Sequence, residues 1–213
     1  QPHHSRHSFP TRRSSDLTRS KVYSPKDRRS AFLFGDGGVA ALVERDEKFG
    51  KSYFSLNSDG SRADLIMIKG GGYRHPSSEE TLREKVVDEY GNIRSDEQGY
   101  MQGGDVFNFV IREIPRDIKK TLEYAGDTAD SFDYIVFHQA NNFINAYIAK
   151  KMKLDTDKIP STIAKYGNTS SVSVPLTIVS ELKDRLYGNK KLLLSAFGVG
   201  MTWATGIVPF VDC

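Results

Sequence analysis

The chain has 213 residues, 38% of them hydrophobic and 27% charged, with a formal net charge of +3. Its length suits a domain that buries its own core. One cysteine (Cys213, the last residue) and five histidines, three of them among the first seven residues, exclude an internal disulfide framework, a multi-cysteine zinc site, an internal catalytic cysteine and a three-histidine metal centre in the body.

Residues 1–17, QPHHSRHSFPTRRSSDL, are rich in His, Arg, Ser and Pro and show no apolar periodicity. They lack the apolar centre of a signal peptide and the amphipathic face of a transit peptide. The segment looks like translated adapter sequence, not native to the gene, and is left out of the expected fold. Without its three arginines and one aspartate the body carries 27 basic and 26 acidic residues. That balance gives no reason to expect nucleic acid, and no apolar run is long enough to span a membrane.

Residues 31–34 (AFLF) predict a buried strand, followed by a glycine turn at 35–38 and a second apolar run at 39–43. Further short strands are expected at 53–56 and 65–68. Residues 70–99 read as polar loop with a helix at 79–88. Phe107, Val110, Ile111, Ile114, Ile118 and Leu122 recur at helical spacing through residue 125, with Pro115 as an interruption. A strand at 133–137, a helix around Phe143–Met152 and a third helix around Val172–Leu186 follow. Pro175 suits that third helix only in its first turn. Strands at 191–197 and 202–210 close the chain. The succession indicates α/β layering, in a segment 18–99 and a segment 100–213.

Four motifs could carry chemistry. Gly35–Ala40 matches a dinucleotide fingerprint in form, but a strand follows it where that site needs a helix. A hairpin turn at positive φ is the better account. His138 ends an α/β strand, where such folds place ligands; a hydrogen-bonded core histidine is the plainer alternative. Residues 167–173 (GNTSSVS) hold more small polar residues than one N-cap requires, which suggests a tight loop presenting a side-chain amide. The glycines of Phe197–Gly200 either expose N–H groups that stabilise an anion or make an ordinary hairpin loop.

Together and in this order, HQAN at 138–141, YGNTSS at 166–171 and AFGVGMTWATG at 196–206 resemble the β-ketoacyl-acyl-carrier-protein synthase III family. LFGDGGVAALVE, DGSRADLIMIKGGGYRHP and MQGGDVFNF resemble other stretches of that family, so the likeness covers about residues 18–212. It implies a thiolase-like layered α/β fold, present here as the C-terminal half plus the end of the N-terminal half. It implies a decarboxylating Claisen condensation of an acyl thioester with a malonyl-carrier protein, in fatty-acid or related acyl-chain synthesis.

By motif, His138 and Asn168 are the catalytic pair, and the backbone N–H of Val199 serves an oxyanion hole. Gly103, Phe107, Ala140, Asn141 and Phe197 match positions lining the pantetheine tunnel, though core packing would equally explain Phe107 and Phe197. The resemblance implies acyl carrier protein and acyl-CoA as partners, CoA and phosphopantetheine thioesters as substrates, no metal or other cofactor, a homodimeric parent and a cytoplasmic location. The family's nucleophilic cysteine lies upstream of the GDG turn, and Cys213 matches no family position. The chain is therefore expected to be a fragment unable to perform acyl transfer by itself. Relatives often carry an arginine where this chain has Phe143; Lys150, Lys151 and Lys153 offer a basic face, or simply a solvated one. The rival readings are a non-catalytic subunit that binds acyl thioesters or carrier protein, and a condensing enzyme of the hydroxymethylglutaryl-CoA or polyketide type.

Overall fold

The computed structural model describes residues 11–43, 48 and 50–210. Cys213, with most of the adapter-like head, lies outside them. At the centre is a four-stranded sheet in the order β3 (Tyr53–Ser58), β10 (Thr202–Phe210), β9 (Lys190–Gly198), β8 (Tyr134–Phe137). β3, β10 and β9 run antiparallel in turn, while β8 pairs parallel to β9. The parallel step requires a long crossover, and α4 (Asn142–Met152), α5 (Ile163–Tyr166) and α6 (Ser173–Glu181) lie along it.

The longest helix, α3 (Gly103–Ala125), follows the apolar period read from the sequence. It buries Val106, Phe109, Val110, Ile114, Ile118 and Leu122 in a core shared with Ile135, Phe137, Leu193 and Ile207 of the sheet. Each such side chain contributes roughly 1.5–3 kcal/mol on leaving water. Gly126 ends the helix in the left-handed conformation (φ 70°), and Asp127 N–H reaches back to the Leu122 carbonyl. Pro115 does not interrupt the helix as expected. Proline lacks the N–H that would bond the Ile111 carbonyl, and that carbonyl accepts instead from Lys151 Nζ at 2.6 Å.

Three other expectations are corrected. Ala31–Phe34 is not a strand. Backbone bonds from Ser30 and Ala31 to the Asp27 carbonyl coil this stretch into turns, and only Phe34 bridges, to Asn168. Its apolar residues serve local contacts, with Phe34 stacked on Tyr23 at 4.0 Å. The following glycines form no positive-φ hairpin turn; β2 (Gly37–Val43) begins among them. Gly35 is needed for close approach, since a Cβ there would sit 1.9 Å from the Tyr166 carbonyl oxygen. The helix expected over 79–88 is one turn, α2 (Glu79–Leu82), capped reciprocally by Ser78 and Thr81. β5 (Lys85–Val86) then pairs with β6 (Ile93–Arg94) in a hairpin.

Residues 11–17, left out of the expected fold, form β1 (Thr11–Leu17), antiparallel to β2. Backbone pairing needs no apolar period, so the sequence carried no sign of it. The short α1 (Arg19–Val22) follows β1. The strand expected at 65–68 shortens to β4 (Ile66–Met67), paired with β7 (Tyr100–Met101).

Candidate active site

The end of β8, the start of α3, the 166–173 loop and the β9–β10 turn surround one cavity of about 690 Å³. All eight residues singled out in the sequence line it: Gly103, Phe107, His138, Ala140, Asn141, Asn168, Phe197 and Val199. The 30 residues between His138 and Asn168 are bridged at Ser173, whose Oγ lies 2.6 Å from the His138 ring, and both side chains line the cavity.

His138 is 8% exposed. Its backbone N–H donates to the Ser195 carbonyl (2.8 Å) and its carbonyl accepts from Asn145 Nδ2 (3.2 Å), fixing it at the end of β8. The ring meets Phe197 edge-on at 5.1 Å. Burial pulls its pKa down to about 4, so the imidazole is neutral at physiological pH. Nδ1 lies 2.6 Å from Ser173 Oγ, which also accepts from the Gln139 N–H at 3.3 Å. That hydroxyl has one proton, and Nδ1 is its one acceptor among the described residues. Nδ1 therefore accepts, and the imidazole proton stands on Nε2. Gln139, fully buried, pins the same corner: its amide donates to the Phe137 carbonyl and accepts from Ser161 and Thr162.

Asn168 is not a helix cap; α6 has Val172 at that position and no side-chain cap. Asn168 Oδ1 accepts the Ser170 N–H at 2.9 Å, which turns the Nδ2 donor pair away from the loop. Ser170 holds this orientation from the left-handed region (φ 55°), uncommon for a non-glycine residue. His138 and Asn168 thus each spend their acceptor on the protein and retain an N–H.

The remaining lining residues vary in what they do. Asn141 caps α4 through Oδ1, 2.8 Å from the Ile144 N–H. Val199 is at the tip of the β9–β10 turn, where its carbonyl accepts from Thr202 Oγ1. Phe107 stacks on Phe143 at 5.4 Å and meets Tyr147 edge-on at 5.9 Å. Phe143 is 69% exposed, so an aromatic group stands beside the cavity. Ser173, Ser170 and Arg19 were not singled out as site residues in the sequence. Ser173 fell inside the quoted 167–173 motif, yet its partner is 35 residues away.

The layered sheet and the paired donors at the ends of its connections define a thiolase-like fold. The C-terminal model of 3-oxoacyl-[acyl-carrier-protein] synthase III matches residues 122–210, and a second model for the same synthase matches residues 16–60. The chain belongs to the 3-oxoacyl-[acyl-carrier-protein] synthase III family. It is 35% identical over 195 residues to a Streptococcus pneumoniae (strain Hungary19A-6) β-ketoacyl-[acyl-carrier-protein] synthase III, covering 90% of this chain and 56% of the relative. A crystal structure of a 3-oxoacyl-(acyl-carrier-protein) synthase III superposes with a TM-score of 0.83 at 36% identity, over 92% of this chain and 59% of the other. The corresponding Burkholderia xenovorans LB400 structure gives 0.81 at 35%, over 95% and 56%. The chain therefore spans little more than half the length of the relatives it matches.

Proposed function

We propose that this chain supplies the decarboxylation site of a decarboxylating Claisen condensation between an acyl thioester and a malonyl thioester. The observation that carries the reading is the pair of fixed donors, His138 Nε2–H and Asn168 Nδ2, facing one largely apolar cavity. When a malonyl thioester loses carbon dioxide, the electrons of the broken C–C bond move onto the thioester oxygen as an enolate. Two preorganised donors at that oxygen stabilise the charge in a site of low dielectric, without reorganising. The neutral state of His138 suits a donor that must not compete as an acid with the substrate.

The enolate carbon then attacks the carbonyl carbon of the acyl thioester and forms the new C–C bond. Val199 N–H serves the resulting tetrahedral oxyanion, which collapses as the C–S bond breaks and the thiolate that carried the acyl group leaves and takes up a proton. Gly103, Phe107, Ala140, Asn141 and Phe197 form the passage for a pantetheine arm. Among the described residues, none that line the cavity is a cysteine, so the acyl-carrying nucleophile is not among the residues brought together here. As parts of the same reading, the carrier is acyl carrier protein, with acyl-CoA as acyl donor, and the working enzyme is a cytoplasmic homodimer. The names of the relatives support the carrier. Among the described residues, no helix is long and apolar enough to cross a membrane.

The test is release of carbon dioxide from malonyl-pantetheine by the chain. His138→Ala and Asn168→Ala are each expected to abolish it. Rates unchanged in both variants would overturn the assignment. Binding without any decarboxylation by the unaltered chain would favour a thioester-binding subunit instead.

A further inference from the structure

Arg19, the first residue of α1, lines the same cavity and is the single charged residue to do so among the described residues. Its Nη2 donates to Ser170 Oγ at 2.9 Å, while its Nε is shielded from water and has no hydrogen-bond partner. Among the described residues no carboxylate lies within ion-pair distance of the guanidinium. The nearby Asp36 is engaged by the N–H and hydroxyl of Ser20. The other titratable groups on the cavity wall are Tyr23 and the neutral His138. A guanidinium has five N–H donors in a planar fork and no way to shed its charge. With its Nε shielded beside an apolar wall and Nη2 on Ser170, the guanidinium keeps further N–H donors that suit an anion.

The position of Arg19 narrows the anion. Ser170, which accepts from Arg19, is also the residue whose N–H orients Asn168. Arg19 is therefore tied, through Ser170, to the loop that carries the amide assigned to the thioester oxygen. The anion that suits this placement is one carried on the acyl group itself, near its carbonyl. A carboxylate fits the planar fork, accepting two parallel N–H bonds.

We propose that Arg19 is a carboxylate-recognition residue, so that the cavity prefers an acyl thioester bearing a carboxylate over a neutral one of similar length. This rests on the thioester reading above. Two sources share that chemistry: the malonyl group, whose carboxylate is lost in the reaction, and an acyl chain with a terminal carboxylate that is retained.

Trp203, the one tryptophan of the chain, lines the cavity and supplies the probe. Quenching of its fluorescence would be titrated with butyryl-, malonyl- and succinyl-pantetheine against the whole chain and its Arg19→Met and Arg19→Lys variants. We expect at least one acidic thioester to bind tenfold or more tighter than butyryl-pantetheine. Arg19→Met should remove that advantage, weakening the acidic thioesters far more than butyryl-pantetheine, with Arg19→Lys intermediate. An advantage confined to malonyl identifies the extender carboxylate, and one confined to succinyl identifies a carboxylated chain; either supports the proposal. Equal affinities in the unaltered chain would overturn it even if Arg19→Met failed to fold. So would a loss in Arg19→Met that is as large for butyryl as for the acids. If no thioester binds, the reading of the cavity fails, and this proposal with it.

Discussion

The hydroxyl of Ser173 stands 2.6 Å from Nδ1 of His138 and decides which imidazole nitrogen holds the proton. Ser173 is fully buried on the first turn of α6. Its second tie, from the Gln139 N–H, leaves its proton nowhere else to go among the described residues.

Replacing Ser173 by alanine should free Nδ1 and let the two tautomers mix. Decarboxylation of malonyl-pantetheine is expected to fall roughly tenfold or more, with thioester binding little changed, because the lost donor acts on developing charge. Nitrogen NMR of the imidazole should show Nε2 protonated in the unaltered chain and mixed populations in Ser173→Ala. A slower variant that keeps a pure Nε2–H tautomer would contradict this role.

The burial of His138 also makes a prediction about acid. Its folded pKa of about 4 lies below the usual value of 6.5. Between those values the unfolded chain binds a proton that the native chain does not. The contribution of His138 to stability is therefore complete above pH 6.5 and is lost as pH falls toward 4, at up to about 1.4 kcal/mol per pH unit. Urea unfolding at a series of pH values should show this slope, and His138→Gln should lack it. The same slope in the variant would assign the acid sensitivity elsewhere.

Gly35→Ala should injure the site from a distance. The added methyl carbon would meet the Tyr166 carbonyl oxygen at 1.9 Å, which neither backbone can tolerate in place. Gly35 N–H bonds the Asn168 carbonyl, and its neighbour Phe34 bridges Asn168. We expect a stability loss on the order of 2 kcal/mol, read from urea unfolding, together with a fall in decarboxylation. A variant with full activity and unchanged stability would refute this.

Much of the fold could be read from sequence because its larger elements obey one period. The stripe from Phe107 to Leu122 has room in 23 residues to distinguish helix from strand. Ala31–Phe34 had four residues and no period; bonds to the Asp27 carbonyl coil its start, and Phe34 at its end bridges to distant Asn168. The one-turn helix at Glu79 ends where Lys85 and Val86 pair with Arg94 and Ile93. That is a cross-strand preference that a local helix reading cannot weigh.

For the site, family likeness supplied His138 and Asn168, but not what orients them. Ser173 touches its histidine across 35 residues, and Arg19 touches Ser170 across 151. Small polar residues at such distances leave no pattern along the chain.

Asp117 of α3 is buried, and its carboxylate bridges two strands. One oxygen accepts from Ser55 and Asn57 of β3 at 2.5 and 2.7 Å, and the other accepts from Thr205 of β10 at 2.6 Å. Ser55 and Thr205 are direct partners in the β3–β10 ladder. A slip of one residue would turn one hydroxyl to the opposite face of the sheet, and a slip of two would set Tyr53 or Asn57 against Thr205. Asp117 thus works as a key that fits only one alignment of the two strands. Leu56 and Asn57 on one strand and Trp203 and Ala204 on the other belong to the cavity wall. The shape of that wall is accordingly read out by a carboxylate with no part in the chemistry.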